Sequence, residues 1–150
     1  MSWDHPHPFT LPVCPGPADI DGLGHTNNAV YVQWCEHIGW AHSEALGLSL
    51  ADYHRLDRAM AIQRGEYDYL LPTFAGDTLT LATWLKPGDG KLRMERHFQL
   101  QRRGPGDGGP TTVLRGRWQL VCIAISSGAP KRMPPEFVQA YMPACVTVGC

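Results

Sequence analysis

NAVYVQWCEHIGWAHSEAL, residues Asn28 to Leu46, is the stretch on which the fold turns. It holds no proline, and Tyr31, Trp34, Cys35, Ile38, Ala41 and Ala45 recur at three- and four-residue spacing, the period of a helix with one buried stripe. Asn27 or Asn28 offers a side-chain cap for the first free N–H groups, and Gly47 supplies the left-handed residue that ends many helices. Ser49 with Asp52 three residues later predicts a short second helix through Leu56.

On either side of this helix the pattern changes. Phe9 to Val13 is a short apolar strand that Pro15 and Pro17 keep short or at an edge. From Ala59 onward the period is two. Ala59 to Leu71 carries Met60, Ile62 and later Tyr67 and Tyr69, and Asp77 to Lys86 alternates Leu79, Leu81, Thr83 and Leu85 against Thr78, Thr80, Ala82 and Trp84. Pro87 to Gly90 makes a turn. Lys91 to Arg102 then places Leu92, Met94, Phe98 and Leu100 on one side, with Arg96 the exception. Beyond a glycine-rich loop from Gly104 to Pro110, Thr111 to Ser126 reads as the longest strand. Its Val121–Ile125 run is apolar on both faces, as in a central strand. A short helix follows Pro134 and Pro135. One strand, one helix and four consecutive strands predict an α+β fold, a long central helix wrapped by a five-stranded antiparallel sheet. One domain is expected over residues 1–150, with 1–8 disordered and 138–150 a C-terminal tail.

Thirteen basic and fourteen acidic residues nearly cancel, so net charge signals no nucleic-acid partner. The five cysteines are scattered, with no zinc spacing, and read as reduced cytoplasmic thiols. The first residues have no basic start followed by an apolar run, so no secretory signal is expected, and no stretch approaches membrane-spanning length. No metal site is expected; His5 and His7 merely flank prolines.

Polar chemistry is concentrated just before the helix, in Asp19-Ile20-Asp21-Gly22-Leu23-Gly24-His25-Thr26-Asn27-Asn28. The free N–H groups of a helix's first turn hold an anion or a developing oxyanion, and a carboxylate beside them attacks a carbonyl or activates water. Asp21 fits either role, nucleophile or general base.

This segment resembles the loop motif of the 4-hydroxybenzoyl-CoA thioesterase-like family of hotdog-fold proteins: D-x-D-x-x-x-H-x-N-N-x-x-Y stands here as Asp19, Asp21, His25, Asn27, Asn28 and Tyr31, with Glu36 continuing it. Glu66 to Pro72 with Gly76 to Leu79, and Leu120 to Cys122 with Pro134 to Phe137, resemble later parts of the family, so the likeness runs from Phe9 to Phe137. It implies a hotdog fold and hydrolysis of an acyl-CoA thioester without metal or cofactor beyond the CoA of the substrate. It implies Asp21 as the catalytic carboxylate, the backbone N–H of Asn28 as the group polarising the carbonyl, and a homodimer or homotetramer with substrate at a subunit interface. The His-x-Asn-Asn form favours a fatty acyl group over an aromatic one. Cys14 to Ala18 departs from the family by interrupting the run from first strand into motif.

Each residue also has a plainer reading. His25 hydrogen-bonds the backbone to hold the turn, or contacts substrate or tunes Asp21, and Asn27 caps the helix or touches substrate. Tyr31 is core or acyl-pocket wall; Glu36 positions water or pairs on the surface; Lys91 contacts a CoA phosphate or decorates a solvated strand. Two other functions compete. A non-catalytic acyl-CoA or acyl-carrier-protein binding module needs no carboxylate aimed at a carbonyl, and a hotdog enoyl-CoA hydratase is disfavoured because Asp21 and His25 stand four apart with no Asn-Pro between them.

Overall fold

The computed structural model describes residues 3–104 and 108–146. The predicted helix α1 spans Asn28–Ala45, 18 residues of ordinary rather than exceptional length. Asn27 Oδ1 accepts from the Ala29 N–H at its start, and Gly47, at φ +97°, carries the chain away from its end. Helix α2, Leu50–Leu56, opens with the Ser49/Asp52 capping box, and α3 spans Pro135–Tyr141.

Strands β1 (Phe9–Val13), β2 (Ala59–Tyr69), β3 (Leu79–Pro87), β4 (Arg93–Arg103) and β5 (Pro110–Ile123) form one antiparallel sheet in the order β1-β3-β4-β5-β2. The middle strand is β4, and β5, flanked by β4 and β2, is an interior strand as expected. Chain reversal at Ala124, where its N–H bonds Ala129 O and Gly128 N–H bonds its own carbonyl, ends β5 before the expected Ser126. The β2 pattern passes from even positions (Met60, Ile62) to odd (Tyr67, Tyr69) because the register with β5 slips between Ile62 and Arg64. A bulge of one residue returns both pairs to the helix side.

Cys35 and Ile38 of α1 pack with Leu81, Leu85, Phe98, Leu100, Leu114 and Leu120 of the sheet as one core. The buried stripe of α1 departs from the predicted one in its second half. Ala45 is exposed and Trp34 and Ala41 are half-buried, while Gly39, His42 and Ser43 are buried.

Residues 3–8 are not disordered. Asp4 forms a two-pronged ion pair with Arg115 (2.7 and 2.9 Å), its N–H bonds Gln99 Oε1, and Trp84 Nε1 donates to Pro6 O. These residues cover the sheet face that α1 leaves open. Tyr141, in the expected C-terminal tail of 138–150, is fully buried at the end of α3 together with Phe137, and 147–150 lie outside the described residues. Among the described residues no helix is long and apolar enough to cross a membrane.

Candidate active site

The loop before α1 is built around Asp21. Its Oδ1 accepts from the backbone N–H groups of Leu23 (2.8 Å) and His25 (3.2 Å), and its own N–H donates to His25 O (2.8 Å). Gly24, at φ +79°, closes this turn in a conformation that side-chain-bearing residues rarely adopt. Among the described residues Oδ2 has no hydrogen-bond donor. Asp19 orders the same loop, accepting from the Gly16 N–H through Oδ2 and from the Asn27 N–H through its carbonyl. Pro17–Asp19 is a 3-10 turn, which is how the chain passes the proline-rich interruption.

Asn27 supplies the helix cap, taking the Ala29 N–H on its side chain and the Val30 N–H on its carbonyl. The Asn28 N–H, first of the helix, is left without an acceptor among the described residues, one of the open donors of a helix start. Asp21, His25, Asn28 and Tyr31 line one cavity of about 260 Å³, closed on its far side by Tyr69, Leu70, Leu71 and Pro72. The His25 ring meets Phe74 edge-on at 5.4 Å, and its hydrogen bonds to Asp21 come from its backbone.

Thr73 anchors this site, and no sequence signal marked it. Its Oγ1 bonds Thr26 Oγ1 and the Tyr31 hydroxyl, both at 2.7 Å, and its carbonyl accepts the Thr26 N–H at 2.8 Å. All three residues are buried, so one hub ties the loop, the first turn of α1 and the segment after β2 together.

Lys91 and Glu36 are not brought to Asp21 within the protomer. Lys91 is exposed in the β3–β4 turn, beside the sheet end where Ala59 pairs with Ile123; Asp21 lies at the opposite end, where Tyr69 pairs with Leu114. Glu36 is exposed at the rim of a second cavity, of about 100 Å³, lined also by Gly39, Ser43, Tyr53, Met60, Ile62, Arg96, Trp118 and Tyr141.

Arg96, the residue that broke the β4 alternation, is only 3% exposed and has no acidic partner among the described residues. Leaving a cation unpaired in the interior is costly. Nη1 donates to His42 Nδ1 (2.9 Å) and Thr83 Oγ1 (3.1 Å). Burial lowers the Arg96 guanidinium to about 10, so it stays charged at neutral pH. Burial first, and the Arg96 charge second, push His42 down to about 4, which keeps Nδ1 free to accept. Beside them the Tyr141 hydroxyl meets both Ser43 Oγ and the Tyr53 hydroxyl, and burial raises the pKa of both phenols.

The fold matches solved structures, thioesterases among them. Slr0204, a 1,4-dihydroxy-2-naphthoyl-CoA thioesterase from Synechocystis, superposes with a TM-score of 0.78 at 20% identity over 91% of this chain and 96% of that one. SAV2348 from Staphylococcus aureus, solved in complex with CoA, gives 0.80 at 18% identity over 100% and 93%. The DHNA-CoA thioesterase of Staphylococcus aureus gives 0.76 at 20% identity over 89% and 88%. These likenesses establish the hotdog fold. No curated protein matches in sequence. The profile of the thioesterase-like superfamily matches residues 15–141, which is most of the chain. The chain belongs to the thioesterase-like superfamily and is, at that level, a thioester hydrolase.

Proposed function

We propose that the protein hydrolyses acyl-CoA thioesters with Asp21 as the reacting carboxylate. The observation that carries this reading is the sharing of one cavity by Asp21, whose Oδ2 is free, and Asn28, whose N–H begins the helix. Oδ2 takes a proton from water as the oxygen attacks the thioester carbon; alternatively it attacks that carbon itself and forms an anhydride that water opens. In both routes the Asn28 N–H and the positive end of α1 hold the carbonyl oxygen as it gains charge, and the C–S bond then breaks. CoA leaves as the thiol, and water is the only co-reactant. Tyr31 walls the acyl groove, Asn27 fixes the helix start, and His25 holds the carboxylate through its backbone.

The one-domain chain works in this proposal as a homo-oligomer. Strand β2 is a free sheet edge that exposes Ile62, Tyr69 and, just beyond it, Leu70 and Leu71, the kind of edge that pairs with another strand. A two-fold axis normal to the sheet pairs β2 antiparallel with its copy. The Tyr69 end of one protomer then lies beside the Met60–Ile62 end of the other, and each Lys91 approaches the other subunit's Asp21 cavity.

Release of CoA thiol from short, long and aromatic acyl-CoAs, compared between the protein and Asp21→Asn, tests the reading. Turnover that depends on Asp21 is expected; absence of turnover on every thioester overturns it in favour of a binding module. Single turnover in ¹⁸O-labelled water adds a reading of the route: label in Asp21 requires an anhydride opened at the Asp21 carbon, whereas attack of water at the acyl carbon, in either route, places the label in the product acid.

A further inference from the structure

The cavity around Arg96 is built for a guest that the thioester chemistry does not require. Its floor is a charged guanidinium whose Nη1 is held by His42 and Thr83, while Nε and Nη2 have no acceptor among the described residues. Among the described residues no fully enclosed side-chain nitrogen or oxygen lacks a partner, so those N–H groups open into the cavity that Arg96 lines. Beside it, the hydroxyls of Ser43, Tyr53 and Tyr141 bond one another. The walls are apolar: Met60, Ile62, Met94, Trp118 and Leu120. Apolar walls above a floor of unsatisfied donors select a ligand with a hydrocarbon stem and an anionic tip. The volume of about 100 Å³ is below the roughly 150 Å³ of a cavity that takes benzene, and favours a carboxylate on methylenes over an aromatic ring.

Position supplies the rest. Within one protomer Gly39 lies eleven helix residues from Asn28, about 16 Å along the axis. In the β2 edge pairing proposed above, Met60 and Ile62, which line this cavity, would sit at the strand end that meets Tyr69 to Pro72 of the Asp21 cavity in the other subunit, a shorter path. Adjacent strands are only about 4.8 Å apart. Glu36 stands exposed at the rim, where solvent screens its charge against an entering anion.

We propose that the Arg96 cavity receives the far end of the acyl group and that the preferred substrates are acyl-CoAs whose chain ends in a carboxylate. The proposal rests on the thioesterase reading for its turnover and on the cavity alone for its anion.

The test compares kcat/KM for octanoyl-CoA and its ω-carboxylate counterpart suberyl-CoA in the wild-type protein, Arg96→Met and Arg96→Lys, with the melting temperature of each followed with and without free suberate. The wild type is expected to prefer suberyl-CoA about tenfold or more, as one charge-assisted contact provides. Arg96→Met brings the ratio to near one, and Arg96→Lys leaves it between. Suberate raises the melting temperature of the wild type and not of Arg96→Met. A wild-type ratio near one or below, or a ratio unmoved by Arg96→Met, overturns the proposal. If Arg96→Met does not fold, the wild-type ratio and Arg96→Lys decide. Should no thioester turn over, in this pair or in the wider panel, the thioesterase reading fails by itself: a suberate shift in the wild type then keeps the anion site, and no shift removes that too.

Discussion

The two ends of α1 hold polar groups in opposite ways. At its start, a half-exposed carboxylate is fixed by backbone donors on one oxygen and left open on the other. At its end, a buried cation is held at one nitrogen by neutral acceptors and left open at the others. The first arrangement suits a group that must reach a reacting carbon and exchange protons with water. The second suits a group that waits for a charge to arrive, since in a water-poor cavity an incoming anion meets little screening. In the two proposals chemistry and selection thus sit at separate ends of one helix, and substitutions at each end should move different observables.

Removing the carboxylate function has the largest expected effect. Asp21→Asn keeps an Oδ1 that accepts from Leu23 and His25, so the loop should stand and the melting temperature stay close to wild type, while kcat falls by roughly 10²–10⁴-fold. A variant that keeps more than a tenth of wild-type turnover would break the division of labour. Next is the hub beneath it. Thr73→Val strips the partner from the Tyr31 hydroxyl and leaves the Thr26 hydroxyl only the Thr73 carbonyl inside the core, which should cost about 2 kcal/mol in urea unfolding. Ser43→Ala at the other end, where Tyr141 retains Tyr53, should cost only about 1 kcal/mol. Equal losses would mean that the loop is not held through Thr73.

The same two ends differ in how much of them the sequence revealed. The strands, the cap on α1 and the loop that holds Asp21 were readable because each rests on local chemistry: alternation, an Asn side chain, a glycine at positive φ. The second half of the buried stripe was not, since hydrophobic periodicity selected Ala41 and Ala45 while the fold buries His42 and Ser43. Those polar residues are inside because Arg96 and Tyr141, distant in sequence, supply their partners, and a pattern read along the chain carries no information about partners across it. Arg96 did leave a mark, as the one charge on an apolar strand face. Thr73 left none, being one threonine after a proline.

Acid should act on the Arg96 end through His42. His42 is held at about 4 against an ordinary value of 6.5, so below pH 6.5 the unfolded chain binds a proton that the folded protein refuses. Stability is therefore complete above about pH 6.5 and declines as pH falls toward 4, by about 2 kcal/mol once solvent screening is allowed for. Urea unfolding at pH 7 and pH 4.5 measures the decline. His42→Gln, which keeps an acceptor for Arg96 without a titrating ring, should flatten it; an unchanged slope would assign the acid sensitivity elsewhere.

The smallest effect tests the cavity's shape rather than its charge. Gly39 faces Trp118 and Arg96 so closely that an added Cβ would stand 3.3 Å from Trp118 Cζ3 and 3.7 Å from Arg96 Nε. The indole cannot swing away freely, because its Nε1 donates to the Tyr67 hydroxyl at 2.7 Å and its ring packs edge-on against Phe98 at 4.7 Å. In Gly39→Ala the helix gains about 1 kcal/mol from alanine's propensity, against roughly 1–3 kcal/mol for overpacking, so a net loss of about 1 kcal/mol is expected. Because the methyl lies beside the open nitrogen of Arg96, it should also lower the preference for an acid-ended acyl chain and leave kcat on short acyl-CoAs within about twofold. A stabilised variant with an unchanged preference would show that Trp118 yields and that the space beside Gly39 is not where the acyl end sits.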